Sequence, residues 1–149
     1  MRTWAEIDLT ALEHNYRTLR AMLPRECRFL GLCKANAYGH GAAVIGHTLE
    51  RLGADMLAVA CVSEAEELRQ SGVKLPILCL GETPEELIPL LLELDVTQMV
   101  EDLETGRRLS AAAQRAGRTL RVHVKLDTGM SRLGFLWEAG REEETADEI

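Results

Sequence analysis

The stretch 28–41, "RFLGLCKANAYGHG", decides the fold of this chain. "RFLGL" reads as a buried β-strand, because its apolar residues run on without the gaps of an amphipathic helix. Alternation puts Leu30, Leu32 and Lys34 on one face of it and Phe29, Gly31 and Cys33 on the other. The run stops on a lysine, and small residues, a tyrosine and two glycines follow directly. A lysine at the end of a buried strand needs a reason, since an unpaired charge is costly to bury.

Working outward, strands and helices alternate. Upstream, "EIDL" is a short strand-like piece. A helix follows it, with Thr10 as N-cap, Glu13 completing a capping box, and Leu12, Tyr16, Leu19 and Leu23 at helical spacing. Downstream, "AAVIGHTLERLGA" is a helix stopped by Gly53. "DMLAVA" is a strand, and "SEAEELRQSG" a helix capped by Ser63. "LPILCLG" is a strand, and "TPEELIPLLLEL" a helix with Thr83 at N-cap and Pro84 at N1. "VTQMV" is a strand, a helix runs from Asp102 to Gly117, and "TLRVHVKLD" is a strand. The beat repeats roughly every 20–25 residues, which is the βαβ rhythm of a parallel sheet with right-handed crossovers. A doubly wound open sheet and part of a (β/α)8 barrel both fit. The first strand–helix turn has no G-x-G-x-x-G and the chain has no P-loop, so nucleotide-binding versions lack support. A barrel needs about 250 residues, and this spacing is that of a barrel cut short.

Composition sets the outer bounds. The 149 residues suffice for one domain with a sizeable core, and 46% apolar with 28% charged residues is an ordinary globular balance. A formal charge of −7 argues against binding nucleic acid or an anionic membrane. No apolar run approaches the roughly 18 residues of a membrane span, and the N-terminus has no signal-peptide h-region. Cys27, Cys33, Cys61 and Cys79 form no CxxC pair, so reduced thiols in a cytoplasmic protein are the expectation. Met22, Met56, Met99 and Met130 read as core filler. His40 and His123 lack a third ligand at metal-binding spacing, so no metal is expected. The helix-like end "EEETADEI" carries no stop signal, so a piece of a longer protein is expected.

Two stretches carry chemistry. In a parallel α/β fold, ligands bind at the C-terminal ends of the strands, where Lys34 lies. Lys34 is either a desolvated amine, able to attack a carbonyl and form a Schiff base, or a lysine with a packed stem and a solvated head. In "RVHVKLDTGMSRLGF", Val122, Val124 and Leu126 share one face and His123, Lys125 and Asp127 the other. That polar face either lines a barrel interior or belongs to a solvated edge strand. A buried Lys125 needs a counter-charge, from Asp127 or from a modified side chain. Arg132, just past the strand end, suits a planar anionic or phenolate oxygen.

Together these stretches resemble the alanine racemases, pyridoxal-phosphate (PLP) enzymes built on a (β/α)8 TIM barrel with a second β domain. "KANAYGHG" (34–41) is similar to the cofactor-lysine signature of that family. "HVKLDTGMSRLGF" (123–135) is similar to its second signature, after the fifth barrel strand, and "WAEIDLTALEHNYRTLR" (4–20) to its usual opening. The resemblance runs from about residue 3 to residue 137 without a gap. It implies that residues 1–149 hold the N-terminal part of the barrel, about its first five β/α units. The remaining strands and the C-terminal domain are then absent from this sequence.

The resemblance also implies the roles of individual residues. Lys34 would bond to the PLP aldehyde and then act as one catalytic base. Tyr38 would pack near the cofactor phosphate, and Arg132 would contact its phenolic oxygen. Lys125 matches a lysine that is carbamylated in many members, which would turn it into an anion paired with Arg132. Asn36 and His40 would shape the loop, with Gly39 and Gly41 in a tight turn. The implied activity is interconversion of L- and D-alanine by two-base proton transfer at Cα, supplying D-alanine for peptidoglycan and the cell wall. The second base would be a tyrosine of the partner subunit in a homodimer, and it would fall after residue 149. A serine or broad-specificity racemase, the racemase half of a membrane-linked resistance protein, and a non-catalytic PLP-binding homeostasis protein share this resemblance in part.

Overall fold

The computed structural model describes residues 3–149; Met1 and Arg2 lie outside it. Its elements run α1 (Leu9–Ala21), β1 (Leu30–Leu32), the single turn α2 (Lys34–Tyr38), α3 (Ala42–Leu52), β2 (Met56–Val59), α4 (Val62–Gln70) and β3 (Ile77–Cys79). A 3₁₀ turn (Glu85–Leu87) leads into α5 (Ile88–Glu93), then β4 (Thr97–Val100), α6 (Leu103–Arg115) and β5 (Val122–Val124). The short strands β6 (Leu126–Asp127) and β7 (Phe135–Leu136) and the helix α7 (Glu142–Glu148) complete it. Strands β1 to β5 form one sheet in chain order with every pair parallel, so Gly31 faces Leu57, Ala58 faces Leu78, Cys79 faces Gln98 and Met99 faces His123.

Sequential order in a parallel sheet requires each crossover to return on the same side. The helices therefore form one layer. Ile45 and Leu49 of α3, Ala65 and Leu68 of α4, Ile88 and Leu91 of α5 and Leu109 of α6 pack in the same core as Leu57, Val59 and Ile77 of the sheet. Gly46 lets α3 lie close, since a Cβ there would stand 3.1 Å from the Leu68 Cδ2. The three inner strands are covered on both faces, as apolar parallel strands must be. The outer strands are not: Leu30 and Leu32 on β1 and Val122 and Val124 on β5 are between 38% and 45% exposed.

Several local expectations change. "EIDL" forms no strand among the described residues. Asp8, not Thr10, caps α1, and its Oδ1 accepts the Thr10 and Ala11 N–H groups at 2.8 and 3.1 Å. A carboxylate at the helix start also suits the macrodipole, and Glu13 pairs instead with Arg17 and Arg51. Helix α4 starts from Cys61, leaving Ser63 inside its first turn. Thr83 turns inward and donates to the Gln98 Oε1 at 2.6 Å, and Pro84, expected at N1, takes the cap position of the turn that follows. The expected helix after it is divided because Pro89, in the first turn of α5, has no N–H to continue an upstream turn. The last strand breaks at Lys125 into β5 and β6. Met99 is buried, but Met22 and Met130 are 75% and 73% exposed and fill no core.

Leu68 is fully buried under this helix layer. Leu68→Ala should destabilise the fold by about 2–5 kcal/mol through lost contacts and a residual cavity. Thermal unfolding of the full-length protein measures it, and an unchanged midpoint would contradict this packing.

Candidate active site

Strand β1 delivers Lys34 to the C-terminal edge of the sheet. Cys33, its last inward residue, is sealed in the core and donates its N–H to the Ala58 carbonyl at 2.8 Å. The chain then enters a turn that few sequences adopt. Ala35, Asn36, Ala37 and Tyr38 all have φ between 51° and 54°, in the left-handed region. Each such residue costs about 1–2 kcal/mol against the right-handed form, so the turn must be held from outside. The Ala37 N–H bonds the Cys33 carbonyl at 2.8 Å, and the Gly39 N–H bonds the Ala35 carbonyl at 3.0 Å. Asn36 gives its carbonyl to the Gly41 N–H at 2.9 Å and its Oδ1 to the Ala42 N–H, the first of α3, at 2.7 Å. The His40 Nδ1 lies 2.8 Å from the Ala37 carbonyl. Asn36 and His40 thus shape the loop through backbone contacts.

The result presents an amine. Lys34 is half-buried, and its Nζ stands 5.8 Å from the centre of the Tyr38 ring, within cation–π range. Tyr38 itself is exposed. The full desolvation that one reading of the sequence requires is not made by residues 3–149. Burial pushes the neighbouring Cys33 thiol up to about 11, and the Glu64 carboxylate adds to the rise.

The second signature lies at the same edge of the sheet, beyond β5. Asp127 is buried, and its Oδ1 accepts the Gly129 and Ser131 N–H groups at 3.0 and 2.9 Å. Those N–H groups, Ser131 foremost, hold its carboxyl below the ordinary carboxylate range; Lys125 contributes least. Asp127 is therefore committed to the turn and makes no ion pair with Lys125. Lys125 is half-buried, with its Nζ donating to the Leu126 carbonyl at 3.0 Å. Gly134 closes the loop against it at φ 115°, where a Cβ would fall 2.7 Å from the Lys125 carbonyl oxygen, so only glycine fits. Phe135 and Trp137 then donate to the Lys125 and Asp127 carbonyls, each at 2.9 Å. Arg132 projects from this loop, exposed and outside every ion pair among the described residues.

The structure thus brings Lys34 and Tyr38 together, and Lys125 with the loop of Arg132. These two groups directly follow β1 and β5, the outer strands of the sheet. Sequence reading missed Glu64. Its Oε1 accepts the Ala35 N–H and its Oε2 the Ala60 N–H, both at 2.7 Å. Glu64 occupies the third position of α4, where a capping-box acid belongs. Cys61 stands where the usual serine or threonine would have flagged it.

A family model described as the alanine racemase N-terminal domain matches residues 7–147. The chain belongs to that family. The alanine racemase of Desulfovibrio desulfuricans is 44% identical over 131 residues, covering 88% of this chain and 35% of that one. That of Methanococcus maripaludis is 43% identical over 135 residues, covering 91% of this chain and 36% of its own. The chain therefore spans about a third of the length of the curated relatives it matches. A Clostridium difficile 630 alanine racemase in complex with cycloserine superposes with a TM-score of 0.93 at 41% identity, over 100% of this chain and 40% of that one. The Bartonella henselae alanine racemase with covalently bound pyridoxal phosphate gives a TM-score of 0.79 at 28% identity, over 86% of this chain and 37% of that one. In this member of the family the five parallel strands and their helices are successive units of a (β/α)8 barrel. Among the described residues no helix is long and apolar enough to cross a membrane.

The depressed carboxyl of Asp127 gives the Arg132 loop a pH limit. The ionised form contributes stability that is complete above the ordinary aspartate value of about 3.9. It is lost as the pH falls through the lower folded value. Asp127→Asn should remove that acid-dependent step, read as the difference in tryptophan fluorescence between the two proteins on acid titration. An identical acid response in both would contradict it.

Proposed function

We propose that this chain carries the cofactor-lysine side of a PLP-dependent amino-acid racemase acting on alanine. The observation that supports it most is the amine of Lys34, set at the C-terminal edge of the sheet on a turn of four left-handed residues. Strain of this kind persists only where the surroundings over-determine it, and it clusters at functional sites.

The residues present fit the cofactor. PLP offers an aldehyde, a phenolic oxygen and a phosphate. Lys34 supplies a primary amine, which can bond to the aldehyde. Arg132 supplies an uncommitted guanidinium suited to the phenolic oxygen, and the exposed Tyr38 a hydroxyl for the phosphate side. Lys125 stands beside the Arg132 loop. As a carbamate it would become an anion for the guanidinium, and its half-exposed amine can receive that group. Bound PLP supplies an electron sink that stabilises negative charge at Cα.

The protein's part is to manage one proton. Racemisation needs it removed from Cα on one face and returned on the other. Lys34, once free of the cofactor, holds the proton on Nζ for one face. The tight turn around Ala35–Gly39 limits where that nitrogen can go, which is the entropic part of the catalysis. The opposite face belongs to a tyrosine of a second copy in a homodimer, from sequence after residue 149. The product, D-alanine, serves peptidoglycan synthesis, and the enzyme works in the cytoplasm.

In the full-length protein, added PLP should produce a new absorbance band, and borohydride should fix the cofactor on Lys34, located by peptide mapping. Lys34→Ala should lose both the fixed adduct and alanine racemisation. Arg132→Ala should keep the adduct and lose roughly 10²-fold in rate. A full-length protein without the band, or with the adduct on another lysine, overturns the reading. Faster turnover of L-serine than of L-alanine overturns the substrate.

A further inference from the structure

From the first turn of α4, Glu64 bridges the segments that follow β1 and β2. It starts α4, yet one of its oxygens leaves its own helix to take the N–H of Ala35, the residue directly after Lys34. The other takes the Ala60 N–H at the end of β2. Both partners are donors, and each is met by its own carboxylate oxygen, an arrangement that an amide side chain in the same place cannot copy. Bonds from N–H groups to a carboxylate are among the stronger ones in proteins.

The contacts continue sideways. The Ala60 carbonyl accepts the Gly81 N–H at 3.0 Å, and the Gly81 carbonyl accepts the Gln98 Nε2 at 2.8 Å. Gln98 is fully buried on β4, and its Oε1 is held by Thr83. A line of polar contacts thus crosses the sheet's C-terminal edge from β1 to β4. Glu64 is the member that attaches the lysine turn to it. The turn's own hydrogen bonds join residues within 33–42; against the sheet it is held by the Cys33 N–H on the Ala58 carbonyl, by the buried Ala37 and, at Ala35, by Glu64.

We infer that Glu64 is a positioning residue for Lys34: it clamps the Ala35 amide to the β2–α4 junction and so fixes where the amine stands. This rests on Lys34 as the cofactor lysine. The clamp lets the strained turn keep one geometry, and it needs no contact between Glu64 and the cofactor.

The experiment uses the full-length protein with two variants. In Glu64→Gln the amide NH₂ must oppose one of the two N–H donors. In Glu64→Asp the charge stays at the helix start, and the shorter arm keeps Ala60 but not Ala35. Hydrogen exchange without added PLP should show the Ala35 amide opening at least about tenfold faster in both variants, as expected for one lost charge-assisted bond. The Ala60 amide should stay protected in Glu64→Asp. Affinity for PLP, titrated by absorbance, should fall by about tenfold in both, and kcat should fall more than KM, with little change in unfolding temperature for Glu64→Asp. Unchanged Ala35 exchange overturns the clamp. Faster exchange with unaltered PLP affinity overturns its role in positioning. If the unmodified protein binds no PLP, the cofactor reading fails, and the exchange data still decide the clamp.

Discussion

A parallel sheet has no hairpins, so each strand is joined to the next only through a helix that must pack back on one face. That constraint organises everything else in this chain. The cores of α3, α4, α5 and α6 are sealed against β2 and β3, where Leu57, Ala58, Val59, Ile77 and Cys79 have almost no contact with solvent. Because all crossovers run the same way, all strand C-termini open on one edge. The segments that follow β1, β2, β3 and β4 meet there, which brings residues distant in sequence to one edge.

The C-terminal edge combines order and strain. The inner strands are rigid because both faces are covered, and they provide fixed anchor points at Ala58, Ala60 and Gly81. The turn after β1 borrows that rigidity. Its four left-handed residues would relax if released, but Cys33 is locked in the core below, Asn36 is tied to α3, and Ala35 to α4. The loop after β5 is built differently. There a single buried carboxylate gathers two backbone N–H groups, and a glycine sits where no side chain fits. Each segment carries a cationic side chain at the sheet's C-terminal edge, Lys34 at the start of the first and Arg132 within the second.

Much of this was legible in the sequence, for a physical reason. Apolar runs separated by helix caps and glycines report burial and chain reversal directly, so the βα order and the end of α3 at Gly53 could be read off. The alternation of Leu30, Leu32 and Lys34 against Gly31 and Cys33 also held, with Gly31 and Cys33 buried. What failed was local competition. Asp8 outcompetes Thr10 as a cap because its carboxylate reaches two N–H groups at once. Thr83 reads as a cap until Gln98, distant in sequence, claims its hydroxyl. Glu64 was invisible for the same reason: its partner Ala35 comes from another βα unit, and single-sequence pattern reading sees only neighbours. The left-handed run at 35–38 carries no compositional mark either, since two alanines, an asparagine and a tyrosine would usually be read as ordinary helix.

The way Asp127 and Gly134 bracket the loop between them has a consequence for how this segment can vary. The carboxylate counts to residues two and four places ahead, and the glycine must return under the Lys125 carbonyl. Both ends are therefore measured against backbone rather than against side chains. The side chains of Thr128 and Met130 are exposed and set neither end; the number of residues between the ends does. An insertion or deletion of even one would rotate Arg132 away from its direction, so divergence here should proceed by replacement and never by change of length.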